Sequence, residues 1–330
     1  MSPKEMNSLQ LTTPRQFSQV KAEIPDIATA GADRILVRAM WASMCGSDIP
    51  FFTGNKRHIA YPLPMGAPVH ECVGMVVESN SAAFKPGDHV VAIPERDGGL
   101  SEFFIGQAAK ATRLPDDLDD ESTCCLIQPL STVLNAVDRL GDVSGKSVAV
   151  VGLGSIGILF CWLLRKRGAG RIVGIDPIEG RGGAAREMGA SAAIPVCSHE
   201  VLHGWRQNPA SWDPPEICIE AVGHQMDTLN DCLALVQQQG TVLAFGVPDH
   251  RVYAIEYETF FRKNAHLVAA VTPNWTEYLA ISRDIFLGAR AELRGLFTHR
   301  LPIREAGKAF TLYERHEDGI LKALLDMSAW

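Results

Sequence analysis

No Cys-x-x-Cys pair occurs in the chain, although it carries eight cysteines. The thiols at 45, 72, 124, 125, 161, 197, 218 and 232 follow no framework spacing and mostly lie in apolar surroundings. That excludes a disulfide scaffold or a paired-cysteine knuckle as the organising feature, and free thiols of a cytoplasmic protein are expected. Positive charge is short too. Lys and Arg number 31 against 38 Asp and Glu, for a formal charge of −7, which argues against a general nucleic-acid binder. The first twenty residues lack the apolar core of a secretory signal, and no repeat or low-complexity tract is present.

One charge-free run is as long as a membrane span: "SVAVVGLGSIGILFCWLL", 147–164, followed by Arg165-Lys166-Arg167. Gly152, Gly154 and Gly157 interrupt it, with a β-rich half before them and a helix-like half after. A strand, a tight turn and a buried helix account for it better than a bilayer segment, so no membrane partner is expected.

What is present points to two domains. A chain of 330 residues exceeds one ordinary core, and 46% hydrophobic with 21% charged residues describes a soluble globular protein. Up to about residue 145, short strand patterns ("RILVRAMW", "CVGMVVES", "HVVAIP", "SEFFIG") alternate with Gly and Pro turns, as in a β-rich, barrel-like domain. From Lys146, "SVAVVG", "RIVGID", "EICIEAVG", "TVLAFGV" and "HLVAAVT" alternate with helical segments including "TEYLAISRDIFLGA". Continuous Val/Ile strands separated by helices predict a doubly wound parallel sheet covered on both faces. The tail after about 291 is expected to add a strand and two helices, and 203–216 a surface loop holding two tryptophans.

Gly152-x-Gly154-x-x-Gly157 follows a predicted strand directly and opens a predicted helix. In that context Gly152 makes the tight turn, Gly154 lets amides approach a pyrophosphate, and Gly157 lets helix and strand pack closely. The amides of Ser155 and Ile156, at the positive helix end, are the expected phosphate donors. Asp176 ends the next strand, 19 residues beyond Gly157, where a carboxylate accepts bonds from ribose hydroxyls and repels a 2′-phosphate. That favours NAD over NADP, while Arg181 nearby is the kind of residue that accommodates the extra phosphate.

A second constellation begins at Cys45 in "MCGSDIPFF" and continues 25 residues later with the adjacent pair His70-Glu71. Thiolate, imidazole and carboxylate are the zinc ligand types, yet on composition alone a buried thiol, a core histidine and a surface acid explain them equally well. The order "CGSD", "HECVGMV", "KPGDHVV", "QPLSTVLNAV", "GLGSIG", "EAVG" changes that weighting. From about residue 30 onward the chain closely resembles the zinc-dependent medium-chain alcohol and polyol dehydrogenases.

The resemblance implies a GroES-like catalytic domain over 1–145 and 291–330, with a Rossmann-type dinucleotide domain over 146–290. It implies one catalytic zinc on Cys45 and His70, with Glu71 as the adjacent carboxylate that ligates in polyol-type members. Ser47 matches the hydroxyl that passes the substrate proton, Asp48 the acid that orients His70, and Thr132 a position near the nicotinamide. The partners implied are an alcohol or ketone substrate and a second copy or more of the chain, as homodimer or homotetramer.

Four departures stand against the family pattern. "PERDGGLSEFFIG" runs on where a four-cysteine lobe would sit, so no structural zinc is expected. Gln128 replaces the third ligand of relatives, Pro50 replaces a relay histidine (with His58 as a conceivable substitute), and Val69 replaces the glycine before the histidine. Phe51, Phe52, Trp41 and Trp275 are candidates to line an apolar pocket, and His299 has no evident partner. Two other readings stay open: a zinc-free NADPH-dependent reductase of the same superfamily, and a dinucleotide-binding protein without turnover.

Overall fold

The computed structural model describes residues 5–56 and 59–330. Chain order begins β1 (Glu5–Thr13), β2 (Gln16–Glu23), β3 (Arg34–Ser43), α1 (Ile49–Thr53), β4 (Glu71–Ser79), β5 (His89–Pro94), β6 (Phe103–Arg113) and α2 (Ile127–Leu140). It continues with β7 (Val148–Val151), α3 (Ser155–Lys166), β8 (Ile172–Ile175), α4 (Arg181–Glu187), β9 (Ala192–Ile194) and α5 (Ser198–Gln207). Then come β10 (Ile217–Glu220), α6 (Asp227–Leu235), β11 (Thr241–Ala244), α7 (Tyr257–Arg262) and β12 (His266–Ala269). The chain finishes with α8 (Trp275–Leu293), β13 (Phe297–Pro302), α9 (Ala306–Arg315) and β14 (Lys322–Asp326).

Two compact units result. One comprises Met1–Ser131 with Asn274–Trp330, the other Thr132–Pro273. The sequence pattern places the second domain at 146–290, and the difference at its end has a physical cause. The amphipathic pattern of α8 resembles one more helix of the alternating series. Its Thr276 Oγ1, however, donates to Ala109 O at 3.0 Å, so the helix lies along β6 of the first unit. Trp275, expected in the cofactor domain, moves with it.

In the first unit β3, β4, β5 and β6 pair in succession and β6 returns to β3, which closes the sheet into a barrel. β3 makes this possible. Register shifts at Leu36/Val37 and Ala39/Trp41 bend it, and its free edge serves two partners. Residues 34–38 pair with β6, whereas 41–43 pair with β14 from the end of the chain. The tail is therefore strand–helix–strand, not one strand and two helices. "LKALLD" satisfies a helix pattern as well as a strand, and only its antiparallel pairing with β3 decides. Phe17, Phe52 and Phe310 cluster at the core of this unit, with ring centroids 5.0–5.8 Å apart. Phe52 is fully buried there.

The second unit has strand order β12-β11-β10-β7-β8-β9, all parallel. Order reverses between β7 and β10, which puts the carboxyl ends of those strands at the switch point where such sheets take ligands. β7, β8 and β10 are buried along their whole length, as strands covered on both faces must be. The apolar run 147–164 is β7, a turn and α3, and no helix among the described residues is long and apolar enough to cross a membrane. The expected surface loop at 203–216 is in part the end of α5. Its Trp212 is buried and donates from Nε1 to Leu235 O at 3.0 Å, so it belongs to the core.

Candidate active site

Cys45 leaves the end of β3 and enters a tight turn, Gly46–Asp48, that folds back onto it. Asp48 is almost completely buried and ties two residues together. Its Oδ2 accepts the Cys45 backbone N–H at 2.8 Å, and its Oδ1 lies 3.3 Å from His70 Nδ1. One carboxylate thus sets the thiol's backbone and the imidazole's orientation, leaving His70 Nε2 as the ring nitrogen available for a ligand. Burial alone would lower the His70 pKa, but the Asp48 charge outweighs it and holds the imidazole well above the usual histidine range.

Side chains on successive residues of a regular strand point to opposite faces, which would separate His70 from Glu71. β4 begins only at Glu71, so His70 precedes the regular strand and escapes that alternation. One ligand atom each of Cys45, His70 and Glu71 then lies within 4.8 Å of the others. Glu71 is wholly buried, and its Oε1 has no hydrogen-bond partner. A buried acceptor without a donor is costly, and a cation between these three groups would satisfy it. The donor set therefore fits a zinc ion.

Val69 does not strain this arrangement. It is not among the residues with positive φ, its side chain is buried, and its carbonyl accepts the Gly99 N–H at 2.9 Å. Gly99 belongs to the short connection that stands where the lobe of relatives would be. A Cβ on Gly99 would lie 2.5 Å from Cys72 Sγ, so only glycine lets this loop pack so closely against the start of β4. Cys72 and Cys125 are buried and pushed far up by desolvation, and Cys124 is raised to about 12; these are inert thiols.

Gln128 is buried on the first turn of α2, Pro50 is buried in α1, and Ser47 is half-buried on the Cys45 turn. His58 lies outside the described residues. His299 finds Asp318, with Nε2 3.3 Å from Oδ2. Trp41 is half-buried under the Arg300 guanidinium, 5.4 Å from the ring centroid.

A residue the sequence pattern does not single out sits behind Glu71. Lys322, the first residue of β14, is 1% exposed, with Nζ 2.6 Å from Glu71 Oε2, and it donates to Met44 O at 2.9 Å. Burial would lower its pKa, yet the adjacent Glu71 carboxylate raises it, so the ammonium is charged. Burial pushes the Glu71 carboxyl up while Lys322 and His70 pull it back. The available signal was one lysine inside "GILKALL", a charge in an otherwise apolar run.

In the second unit, Gly152 has φ +93° and ends β7, with no room for a side chain because a Cβ would meet Val222 Cγ2 at 2.8 Å. A Cβ on Gly157 would fall 1.8 Å from Gly152 O, so α3 rests directly on the turn. At Gly154, the residue capping α3, a Cβ would meet nothing within 4 Å. The amides of Ser155 and Ile156 open the helix beside that space, and first-turn amides have no partner within a helix. Asp176 is buried just past β8. Its Oδ2 accepts from Leu153 N at 2.7 Å and Arg181 at 3.0 Å, and its Oδ1 from Ile178 N at 2.8 Å. A carboxylate has about four acceptor positions, so roughly one remains for a ribose hydroxyl rather than the expected pair. Glu220, also missed, accepts from the amides of Val222, Gly223 and Gly246 and so shapes the loops after β10 and β11. Thr132, half-buried in α2, is the first residue of this unit.

Comparison with known proteins agrees with both domains. The family model described as "Alcohol dehydrogenase GroES-like domain" matches residues 31–116, and "Zinc-binding dehydrogenase" matches 155–285. The chain belongs to the zinc-dependent medium-chain dehydrogenases. This dehydrogenase is 26% identical to an L-threonine 3-dehydrogenase of Caldanaerobacter subterraneus subsp. tengcongensis, over 91% of this chain and 93% of the relative. It is 24% identical to the sorbitol dehydrogenase of Gallus gallus, over 90% and 91% of the two chains. Its fold matches alcohol dehydrogenase TADH from Thermus sp. ATN1 with a TM-score of 0.82 at 23% identity, covering 97% and 99%. The fold is thus the two-domain architecture expected from the sequence, and the chain is an oxidoreductase.

Proposed function

We propose that this dehydrogenase uses zinc and NAD to oxidise a secondary alcohol or polyol, or to reduce the matching ketone. The observation that carries it is the convergence of Cys45, His70 and Glu71 around an unpartnered buried carboxylate oxygen. Zinc on these three residues would supply Lewis acidity toward a substrate oxygen, and a bound nicotinamide would accept or give the hydride. The chain's own role is to orient and to move a proton. Asp48 holds His70 through Nδ1, so that Nε2 faces the donor set. Ser47 Oγ, two residues past Cys45, takes the substrate's hydroxyl proton and passes it to water, since Pro50 offers no imidazole at the next step of the relay. The relatives named for threonine and sorbitol support a small hydroxylated substrate. The buried free thiols support a reducing, cytoplasmic setting.

For the nucleotide, Gly152, Gly154 and Gly157 with the Ser155 and Ile156 amides would receive the pyrophosphate, and Thr132 would lie by the nicotinamide. Asp176 would take a ribose hydroxyl, and its charge opposes a 2′-phosphate. Arg181 is already engaged by Asp176, which keeps it from serving a phosphate instead. Asp176→Ser should therefore lower the ratio of kcat/KM for NAD over NADP by on the order of tenfold, about 1.4 kcal/mol. An unchanged ratio would count against this role.

Metal analysis of active protein, combined with nicotinamide absorbance assays on a panel of secondary alcohols, polyols and ketones, tests the whole reading. About one zinc per chain and NAD-linked turnover are expected. Turnover without metal and with NADPH would favour the zinc-free reductase, and binding of NAD without turnover on any substrate the non-catalytic protein.

A further inference from the structure

Lys322 lies 278 positions beyond Met44 in the chain, yet the fold brings the two into hydrogen-bond contact. The register explains how. Ser43 of β3 pairs with Leu324 of β14 on one side and with Glu71 of β4 on the other, so both strand ends meet at the exit of β3. Ser43 Oγ reinforces the join by donating to Ala323 O at 3.0 Å. A lysine 1% exposed is rare, because an ammonium loses its hydration and needs a partner to offset that loss. Here the partner is Glu71, and the two oxygens of that carboxylate are not equivalent. Oε2 forms the ion pair with Lys322 Nζ at 2.6 Å, while Oε1 has no charged partner, and neither buried oxygen receives a hydrogen bond of regular geometry.

Lys322 thus sets one positive charge against Glu71, the carboxylate that lies beside Cys45 and His70. It also occupies the Glu71 oxygen that bidentate ligation would need.

We propose that Lys322 is a positioning residue that shares Glu71 with the metal, holding Oε2 so that the ion receives only Oε1. The consequence is a weaker carboxylate ligand and an ion that keeps more of its charge for the substrate oxygen. With the lysine removed, Glu71 turns wholly toward the metal, and the repulsion between the ammonium and the ion disappears. Metal then binds more tightly and with one more oxygen donor.

This rests on the metal reading above, and cobalt replacing zinc tests the two separately. Wild-type protein should take up about one Co2+ with an intense visible spectrum, and Cys45→Ala should lose it. If wild type and C45A behave alike, the metal reading itself fails and Lys322 falls with it. Lys322→Met should bind Co2+ on the order of tenfold more tightly in chelator competition, with weaker visible bands as coordination rises above four. Wild-type affinity and spectrum in a folded K322M protein would overturn the proposal while leaving the metal site standing. Should K322M not fold, Glu71→Gln and the double variant E71Q/K322M, which lacks both buried charges, decide instead. Lysine that acts only through the Glu71 carboxylate predicts identical cobalt spectra for those two, and a difference between them overturns it.

Discussion

Replacing Cys45 by alanine should abolish metal uptake and lower turnover by about a thousandfold, while the far-ultraviolet spectrum stays native. The size follows from the chemistry. Lewis-acid stabilisation contributes several kcal/mol, and each ~1.36 kcal/mol is a factor of ten in rate, so about 4 kcal/mol is at stake. The fold should tolerate the change, because Cys45 is only half-buried and its backbone N–H, which alanine keeps, donates to Asp48 Oδ2, so that only the weak sulfur acceptor facing the Asp48 N–H is lost. Metal analysis and initial rates on C45A check it, and wild-type turnover in metal-free C45A would refute the assignment. A pH dependence follows from the same site. A protonated His70 cannot ligate, and Asp48 raises the His70 pKa above the usual range. Proton and metal therefore compete from a higher pH than for an ordinary histidine. Affinity should fall as pH drops through that raised pKa and level off above it, so far as His70 is concerned. Metal titrations at stepped pH give the curve.

Gly157→Ala should cost both stability and nucleotide binding, whereas Gly154→Ala should cost binding alone. A Cβ on Gly157 would fall 1.8 Å from Gly152 O, a backbone atom that moves only if α3 and the turn separate. Overpacking of this kind destabilises by about 1–3 kcal/mol, and it carries the phosphate-facing amides out of place. At Gly154 a Cβ meets nothing within 4 Å, and its φ of −66° suits alanine, so the fold is indifferent. The same methyl would occupy the space through which a pyrophosphate reaches the Ser155 and Ile156 amides. Thermal unfolding combined with NADH titration separates the two effects. Undiminished binding in G154A would remove the phosphate from this turn.

Much of the architecture was legible without coordinates because the signals were local. β7, the glycine turn and α3 follow from one apolar run, 147–164, in which period and glycine spacing agree. The strands of both sheets announce themselves as short Val/Ile-rich runs between turns. The β1–β2 hairpin was not foreseen, since its polar alternation ("QFSQVKAE") carries little apolar signal. The placement of α8 and the last element of the tail were undecided for another reason. α8 is a helix in either unit and only its packing along β6 assigns it, whereas "LKALLD" fits helix or strand and only the edge of β3 decides.

By itself, then, the amino-acid order determined which elements form, where a nucleotide turn lies, and which thiol, imidazole and carboxylate were candidates. Those properties depend on near neighbours along the chain: periodicity, glycine spacing, adjacent donor types. Only the tertiary structure decided that Glu71 faces the same way as His70, that Asp48 binds both Cys45 and His70, and that Lys322 stands behind Glu71. Such facts depend on where a bend in β3 delivers strands from opposite ends of the chain, and charges meet across a sheet by register rather than by spacing.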